Sequence, residues 1–200
     1  MIQHLRPALV LTALFTVLTG VLYPLAIAGV AAIAAPEKAS GSLISRNGVV
    51  VGSRLIGQSF ASPRYFHPRP SATSAPDPAD ASKTIDAPYN AANSSGSNLG
   101  PLSQKLIERV KGDVDALRTE GPTLIPADAV TTSASGLDPH VSPGTARMQV
   151  PRVARERNLP EDRVRGLVAA NVEYPLLGIL GEPRVNVLLL NMALDQVDSP

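Results

Sequence analysis

The pattern of hydrophobic positions is dominated by one long apolar run near the amino terminus. Residues 7–35 carry no charged side chain and consist mainly of Leu, Val, Ile and Ala. A hydrocarbon core of roughly 30 Å needs about 20 apolar residues at about 1.5 Å of rise each. The pattern therefore predicts a transmembrane helix within residues 1–35, with length to spare for tilt.

Two features inside this run predict more than a lipid anchor. Pro24 cannot donate a hydrogen bond to the carbonyl of Gly20, so a bend is expected between them. One helix face carries small or hydroxyl-bearing side chains that would let a neighbouring helix approach closely. We predict a subunit interface there, formed by Thr12, Thr16, Thr19, Gly20 and Tyr23. The alternative is that threonine is simply tolerated in a membrane helix.

A cleaved signal peptide is the competing interpretation of this segment. Its alanine-rich end, residues 28–35, offers small-residue cleavage sites. Signal-peptide cores, however, have roughly 7–15 apolar residues, and this run is far longer. Orientation stays open, because Arg6 precedes the helix while Lys38, Arg46 and Arg54 follow it.

Shorter patterns over residues 36–200 predict one loop-rich soluble α+β domain with a small sheet. Asn47-Gly48 between apolar runs indicates a β-hairpin within residues 41–58. Prolines interrupt residues 60–101, so an irregular surface excursion is expected over residues 72–87. The apolar run 185–190 is typical of a strand buried on both faces, which would share a sheet with the hairpin.

Helices are expected in three places between these strands. The polar loop 93–98 is expected to cap a helix over residues 102–117. Ser142-Pro143 predicts the start of a second helix, since serine caps free amides and proline suits the first helical position. A third helix is expected from about residue 160 to 170, with Glu161 and Asp162 in its first turn.

Composition narrows the function classes. Residues 36–200 hold 17 Lys and Arg (18 minus Arg6) against 17 Asp and Glu, and no basic block, so nucleic acid is not an expected partner. Cysteine is absent, which excludes disulfides and thiolate metal sites. The histidines are too few to predict a metal centre.

One run, residues 131–140, places hydroxyls, a carboxylate and an imidazole close together. An anchored extracytoplasmic hydrolase would use Ser133 or Ser135 with Asp138 and His140. No Gly-x-Ser-x-Gly elbow presents either serine. A rigid hydrogen-bonded turn is therefore favoured, so no catalytic residue is assigned, and the hydrolase and a secreted binding module remain as alternatives.

Short motifs form a set that extends along nearly the whole chain. They are Arg6-Pro7-Ala8, Tyr23-Pro24-Leu25, Gly41-Ser42-Leu43-Ile44, Gly52-Ser53, Ile56-Gly57-Gln58, Tyr65-Phe66-His67, Arg69-Pro70-Ser71, Gly96-Ser97-Asn98-Leu99, Thr132-Ser133-Ala134-Ser135-Gly136-Leu137-Asp138, Gln149, Arg152-Val153-Ala154, Val185-Asn186-Val187 and Leu190-Asn191. In these motifs the chain resembles the KdpC family, the small single-span subunits of the bacterial Kdp potassium-transporting ATPase.

Two short stretches depart from the family pattern. The family's Ser-Gly-Gly-Ser-Asn loop is Ser94-Ser95-Gly96-Ser97-Asn98 here, and the alanine-rich stretch Ala31–Ala35 replaces expected aromatic residues. The resemblance nominates motif residues as functional candidates without assigning their roles. They are Arg69, Ser71, Ser97, Asn98, Ser133, Ser135, Gly136, Asp138, Gln149, Arg152, Asn186 and Asn191.

The resemblance also implies a function. It implies a non-catalytic, single-pass subunit of the bacterial cytoplasmic membrane, with its soluble domain outside, beside a potassium-selecting channel-like subunit and a P-type ATPase subunit. The family is described as a catalytic chaperone that raises the ATP affinity of the hydrolysing subunit, so ATP is expected only through the complex. The sequence is consistent with a non-catalytic subunit, since neither an Asp-Lys-Thr-Gly phosphorylation sequence nor a P-loop is present.

Overall fold

The computed structural model describes residues 2–175 and 177–197, which mix helices with small antiparallel sheets. The predicted α+β class is confirmed. The chain divides into two units, Met1–Ser53 and Arg54–Pro200. The predicted boundary after residue 35, between a membrane helix and a soluble domain, stays a prediction.

The amino-terminal helix consists of α1 (Ile2–Val17), a π turn (Leu18–Leu22) and α2 (Tyr23–Ala34). Within the described part of the chain, Gln3–Ala34 is the one helix long and apolar enough to cross a membrane. The rest of the chain buries no residue of it. The disturbance expected between Gly20 and Pro24 takes the form of the π turn, in which the Tyr23 N–H donates to the Leu18 carbonyl.

The remainder of the first unit is a short helix and a hairpin. Helix α3 (Pro36–Ala39) precedes β1 (Leu43–Arg46), which pairs antiparallel with β2 (Val49–Ser53). The turn residues Asn47 and Gly48 have φ values of 53° and 78°. These positive angles are those of a tight hairpin turn, which asparagine and glycine tolerate best. The predicted hairpin is confirmed.

The expectation of an irregular excursion over residues 72–87 is wrong. Strands β3 (Ser74–Asp77) and β4 (Asp80–Asp86) form a two-stranded antiparallel ribbon there. A ribbon of two strands has an outward edge on each strand, so Pro76 needs no ladder partner for its missing N–H. The Asp77 side chain accepts the Ala79 N–H at 2.8 Å and closes the turn.

The predicted helices are present, although one begins differently. Helices α4 (Gln104–Arg118), α5 (Pro143–Arg157) and α6 (Glu161–Ala170) match the expected segments. Ser142 caps α5, because its Oγ accepts the Thr145 N–H at 3.0 Å. Loop 93–98 does not cap α4 as expected, since Ser103 stands at the start of that helix.

The carboxyl-terminal strand is much shorter than predicted. Strand β7 (Arg184–Asn186) lies between β5 (His140–Val141) and β6 (Val172–Glu173) in one antiparallel sheet, so the hairpin is not part of it. Residues 187–190 begin helix α7 (Val187–Val197) instead. The Asn186 Oδ1 accepts the Leu189 N–H at 3.2 Å and thereby caps the helix.

Helices α5, α6 and α7 build the core of the second unit with this sheet and one residue from an irregular segment. The fully covered side chains are Phe66, Ala146, Val150, Val153, Val164, Val185, Leu190 and Leu194. In α7 the apolar residues Val187, Leu188 and Leu190 are buried, and Leu189 is half-buried. A continuous apolar run therefore fits a buried helix as well as a buried strand.

Candidate functional site

The turn at residues 133–138 is tied to three other segments through its carbonyl groups. The Gly57 N–H donates to the Leu137 carbonyl at 2.8 Å, and the Ser95 N–H to the Ser135 carbonyl at 3.0 Å. The Ser71 Oγ donates to the Gly136 carbonyl at 2.8 Å. Sequence-distant motifs thus meet around a rigid hydrogen-bonded turn.

Close packing explains the glycine at the centre of this turn. Gly136 has φ +67°, and an added Cβ would lie 2.5 Å from Thr73 Cγ2 and 2.6 Å from the Ser95 carbonyl oxygen. Both the left-handed backbone and the missing Cβ are therefore needed.

Arg69 and Asp138 form the charged part of this cluster. Arg69 Nη1 lies 2.9 Å from Asp138 Oδ2, and its Nη2 lies 3.4 Å from the carbonyls of Thr131 and Thr132. Arg69 therefore holds a carboxylate and two backbone carbonyls at once. Burial raises the pKa of Asp138, but hydrogen bonds from His140 and Arg69 outweigh it and hold that pKa below its usual range.

The same geometry argues against a serine hydrolase. His140 Nδ1 lies 3.4 Å from Asp138 Oδ1, and its Nε2 lies 3.9 Å from Glu173 Oε2. The Ser135 Oγ accepts the Leu137 N–H at 3.1 Å, which engages it in the turn, and Ser133 is buried. In residues 2–175 and 177–197 neither hydroxyl bonds to His140, so the nucleophile–base contact of a triad is not formed.

An open cleft of about 450 Å³ lies beside this cluster and is lined by Asp138, His140 and Arg184 among others. Another carboxylate of its lining, Asp128, is occupied within the fold. Its Oδ2 accepts the Ser142 N–H at 2.7 Å and its Oδ1 accepts the hydroxyls of Ser142 and Thr145. Across the described residues no group of three or more His, Asp and Glu side chains is arranged to hold a metal ion.

A second cluster holds the irregular segment around Phe66 by its backbone. The Asn191 side chain accepts the Phe66 N–H at 2.9 Å and donates to its carbonyl at 3.0 Å. Gln149 does the same for His67, at 2.7 Å and 3.0 Å. Two side-chain amides therefore replace the neighbouring strand that a regular sheet would supply.

Arg152 completes this second cluster. Its Nη1 donates to the carbonyls of Pro63 and Tyr65 at 2.6 Å and 3.0 Å, and its Nη2 donates to Gln149 Oε1 at 2.6 Å. Its Nε lies 3.3 Å from Glu120 Oε2, an ion pair without hydrogen-bond alignment. Burial, followed by the positive charge of Arg152, lowers the pKa of His67 below its ordinary value.

The remaining predicted positions are dispersed. Asn186 donates to the Arg54 carbonyl at 2.9 Å, and Ser97 Oγ receives a long hydrogen bond of 3.4 Å from Thr132. Asn98 is exposed with φ +50°. The residues predicted for the membrane interface are exposed along the amino-terminal helix, where the Thr19 hydroxyl donates to the Phe15 carbonyl at 2.7 Å.

Comparison with known proteins decides the family. A model of the KdpC family, described as the c chain of a K⁺-transporting ATPase, matches residues 5–196. The chain belongs to the KdpC family. Proteins described as potassium-transporting ATPase KdpC subunits include those of Methylobacterium nodulans, Methylorubrum extorquens and Bradyrhizobium diazoefficiens. They are 63%, 64% and 59% identical to this chain, over 98%, 97% and 98% of both sequences.

Sequence reasoning missed several residues that complete the two clusters in this KdpC chain. The Tyr89 hydroxyl donates to the Arg69 carbonyl at 2.8 Å. Burial and then the negative charge of Asp138 raise the pKa of Tyr89. The Tyr65 hydroxyl donates to Asp195 at 3.1 Å, and Arg157 Nη2 lies 2.9 Å from the same carboxylate. The sequence offers a signal for only one of these residues: Tyr89 follows Pro88 in a chain that has few aromatic residues.

Proposed function

We propose that this chain is a non-hydrolysing accessory subunit of a high-affinity, ATP-driven potassium uptake complex. Family membership supports the assignment to such a complex. Its single helix Gln3–Ala34 would span the bacterial cytoplasmic membrane, and the second unit would lie on the extracytoplasmic side. The proposed partners are the potassium-selecting channel-like subunit, the P-type ATPase subunit and the surrounding membrane lipid.

The observation that carries this proposal is the state of the amino-terminal helix. None of its residues is buried, although its mean hydropathy over the most apolar stretch is 2.1. Apolar surface of that extent requires lipid or protein around it. Lipid suits the leucine-rich faces, whereas the face with Thr16, Thr19 and Gly20 suits the close approach of another helix.

The two polar clusters support an assembly role rather than chemistry on this chain. Their main side chains form hydrogen bonds and ion pairs with other parts of the same unit; these are Arg69, Asp138, Gln149 and Arg152. We therefore propose that any effect on ATP affinity, the catalytic-chaperone role, reaches the hydrolysing subunit through the assembled complex. Loss of this chain would then raise the KM for ATP of the P-type subunit.

Co-purification from detergent tests the interface. Thr16→Leu removes a hydroxyl and adds bulk on the proposed face, so the pump subunits should be recovered in smaller amounts with the tagged variant. Val21→Leu makes a similar size change on the opposite face and should leave recovery unchanged. Recovery of the wild-type chain as a lone monomer would contradict the proposal, and equal recovery with both variants would leave the threonines as merely tolerated residues.

A labelling experiment tests the sidedness. The chain has no cysteine, so one introduced cysteine is a unique target. Ala81→Cys lies on an exposed strand of the second unit and should react with a membrane-impermeant maleimide in intact spheroplasts. Gln3→Cys, at the other end of the helix, should react only after permeabilisation. The reverse pattern would show that the second unit is cytoplasmic.

A further inference from the structure

The π turn in the amino-terminal helix takes away the regular hydrogen-bond donors of the Thr19 carbonyl. In an α-helix the Thr19 carbonyl would accept from residue 23, and in a π turn from residue 24. The Tyr23 N–H donates to Leu18 instead, and Pro24 has no N–H. Both regular donors of the Thr19 carbonyl are therefore lost.

The position of this carbonyl makes the loss important. Thr19 stands at the middle of the 32-residue helix Gln3–Ala34, which would lie deepest in the hydrocarbon core of the bilayer. Water is not available there to satisfy a polar backbone group, so a donor has to come from protein. The Thr19 hydroxyl does not supply it, since that group donates to the Phe15 carbonyl at 2.7 Å.

The next residue leaves room for such a donor. An added Cβ on Gly20 would meet nothing within 4 Å, so the helix surface has a notch directly after Thr19. Glycine at a helix surface lets another backbone come close enough for a side chain to reach a carbonyl. The notch and the unsatisfied carbonyl are adjacent but arise from different residues and different causes.

We propose that the Thr19 carbonyl is an interhelical hydrogen-bond acceptor for a transmembrane helix of a partner subunit, which presents a donor side chain at mid-membrane depth. Hydroxyl, carboxamide or ammonium side chains are the suitable chemistry. This inference rests on the proposed function. It assigns Pro24 a role in recognition, because the missing N–H of this proline leaves the Thr19 carbonyl available to a donor of the partner.

A labelling scheme can isolate this one carbonyl. Thr19-Gly20 is the only Thr-Gly pair in the sequence, so ¹³C′-threonine with ¹⁵N-glycine selects the Thr19 carbonyl in the full chain. Its ¹³C′ resonance would be recorded by solid-state NMR in lipid, for the chain alone and in the assembled pump. Formation of a hydrogen bond should move the resonance downfield on assembly.

Two proline substitutions make the test specific. Pro24→Ala restores an N–H, so the Thr19 resonance should be the same with and without partners and the complex should dissociate at lower detergent concentration. Pro7→Ala is the matched control near the start of the same helix and should behave as wild type.

The outcomes separate this inference from the function on which it rests. An intact wild-type complex with an unchanged Thr19 resonance would overturn the inference alone, as would equal stability of the Pro24→Ala and Pro7→Ala complexes. A downfield resonance already present in the isolated chain, from self-association or from water, would also overturn it. Failure of the wild-type chain to assemble would overturn both.

Discussion

The amino-terminal helix and α7 are both rich in leucine and valine, but their apolar surfaces have different fates. Leu190 and Leu194 of α7 have no exposed surface, whereas Leu14 and Leu25 of Gln3–Ala34 are 54% and 68% exposed. The difference lies in what surrounds each helix. Helix α7 is covered by α5, α6 and the sheet of its own unit, whereas no residue of Gln3–Ala34 is buried.

Polar groups in the two helices differ in the same way. Asn191 of α7 satisfies both backbone groups of Phe66 inside its own unit. In the amino-terminal helix, the Thr19 hydroxyl turns back onto Phe15 while the Thr19 carbonyl has lost its regular donors. Substitutions in the second unit should therefore alter its unfolding free energy, whereas substitutions in the membrane helix should alter assembly.

The largest effect is expected from Leu190→Ala. Because Leu190 is fully buried, truncation should lower the unfolding free energy of the second unit by about 4 kcal/mol. Urea unfolding of the full chain in detergent, followed by circular dichroism, measures it. Leu14→Ala is the control on the exposed helix and should leave that unfolding free energy unchanged, so equal losses would break the comparison between the helices.

A slightly smaller effect is expected from Asn191→Leu. The substitution keeps a similar volume but leaves the buried N–H and C=O of Phe66 without partners, which should lower the unfolding free energy by about 3 kcal/mol. The same urea titration measures it. Asn93→Leu removes an exposed amide and should change the value by less than about 0.5 kcal/mol. A neutral Asn191→Leu would show that the segment is held by apolar packing alone.

Gly136→Ala should lower the unfolding free energy by about 2 kcal/mol, because it combines left-handed strain with two close contacts. Gly121→Ala is the matched control: its φ is +92°, but no atom lies within 4 Å of the added Cβ. The control should therefore cost only about 1 kcal/mol, from strain alone. Equal losses would mean that the packing of the 133–138 turn contributes nothing.

The smallest effect concerns pH. The pKa of His67 is lowered in the folded state from its ordinary 6.5, so the unfolded chain binds more protons as pH falls below that value. Stability from this group is fully present above pH 6.5 and is lost as pH falls towards the folded pKa. Urea titrations between pH 7.5 and 5.5 should show a shallower pH dependence for His67→Gln. An unchanged pH dependence would contradict this assignment.

Local patterns correctly predicted the amino-terminal helix, the hairpin and helices α4, α5 and α6. Asn47-Gly48 forms its hairpin turn and Ser142-Pro143 starts its helix, because both depend on backbone preferences of neighbouring residues. The strand predicted over residues 185–190 ends at Asn186 and gives way to α7, since a short apolar run has no period that separates strand from helix. The ribbon around Pro76 was missed because its pairing is decided across a turn rather than along the strand.

The candidate site was predicted in composition but not in arrangement. The motif residues were recognisable, but the pairing of Arg69 with Asp138 joins positions 69 residues apart. The hydrogen bonds that hold the backbone of residues 66 and 67 could not be predicted at all. Gln149 and Asn191 act there through side-chain amides on the backbone of a distant segment, and no local pattern specifies such a pair.

By itself the sequence determined the long apolar helix, the hairpin turn, the helix starts and the KdpC family, because these follow from nearest-neighbour preferences and from motifs along one line. The tertiary structure alone decided which apolar run is buried by its own unit and which carbonyls of the 133–138 turn are occupied. Those outcomes depend on donors and apolar surfaces that are far apart in sequence.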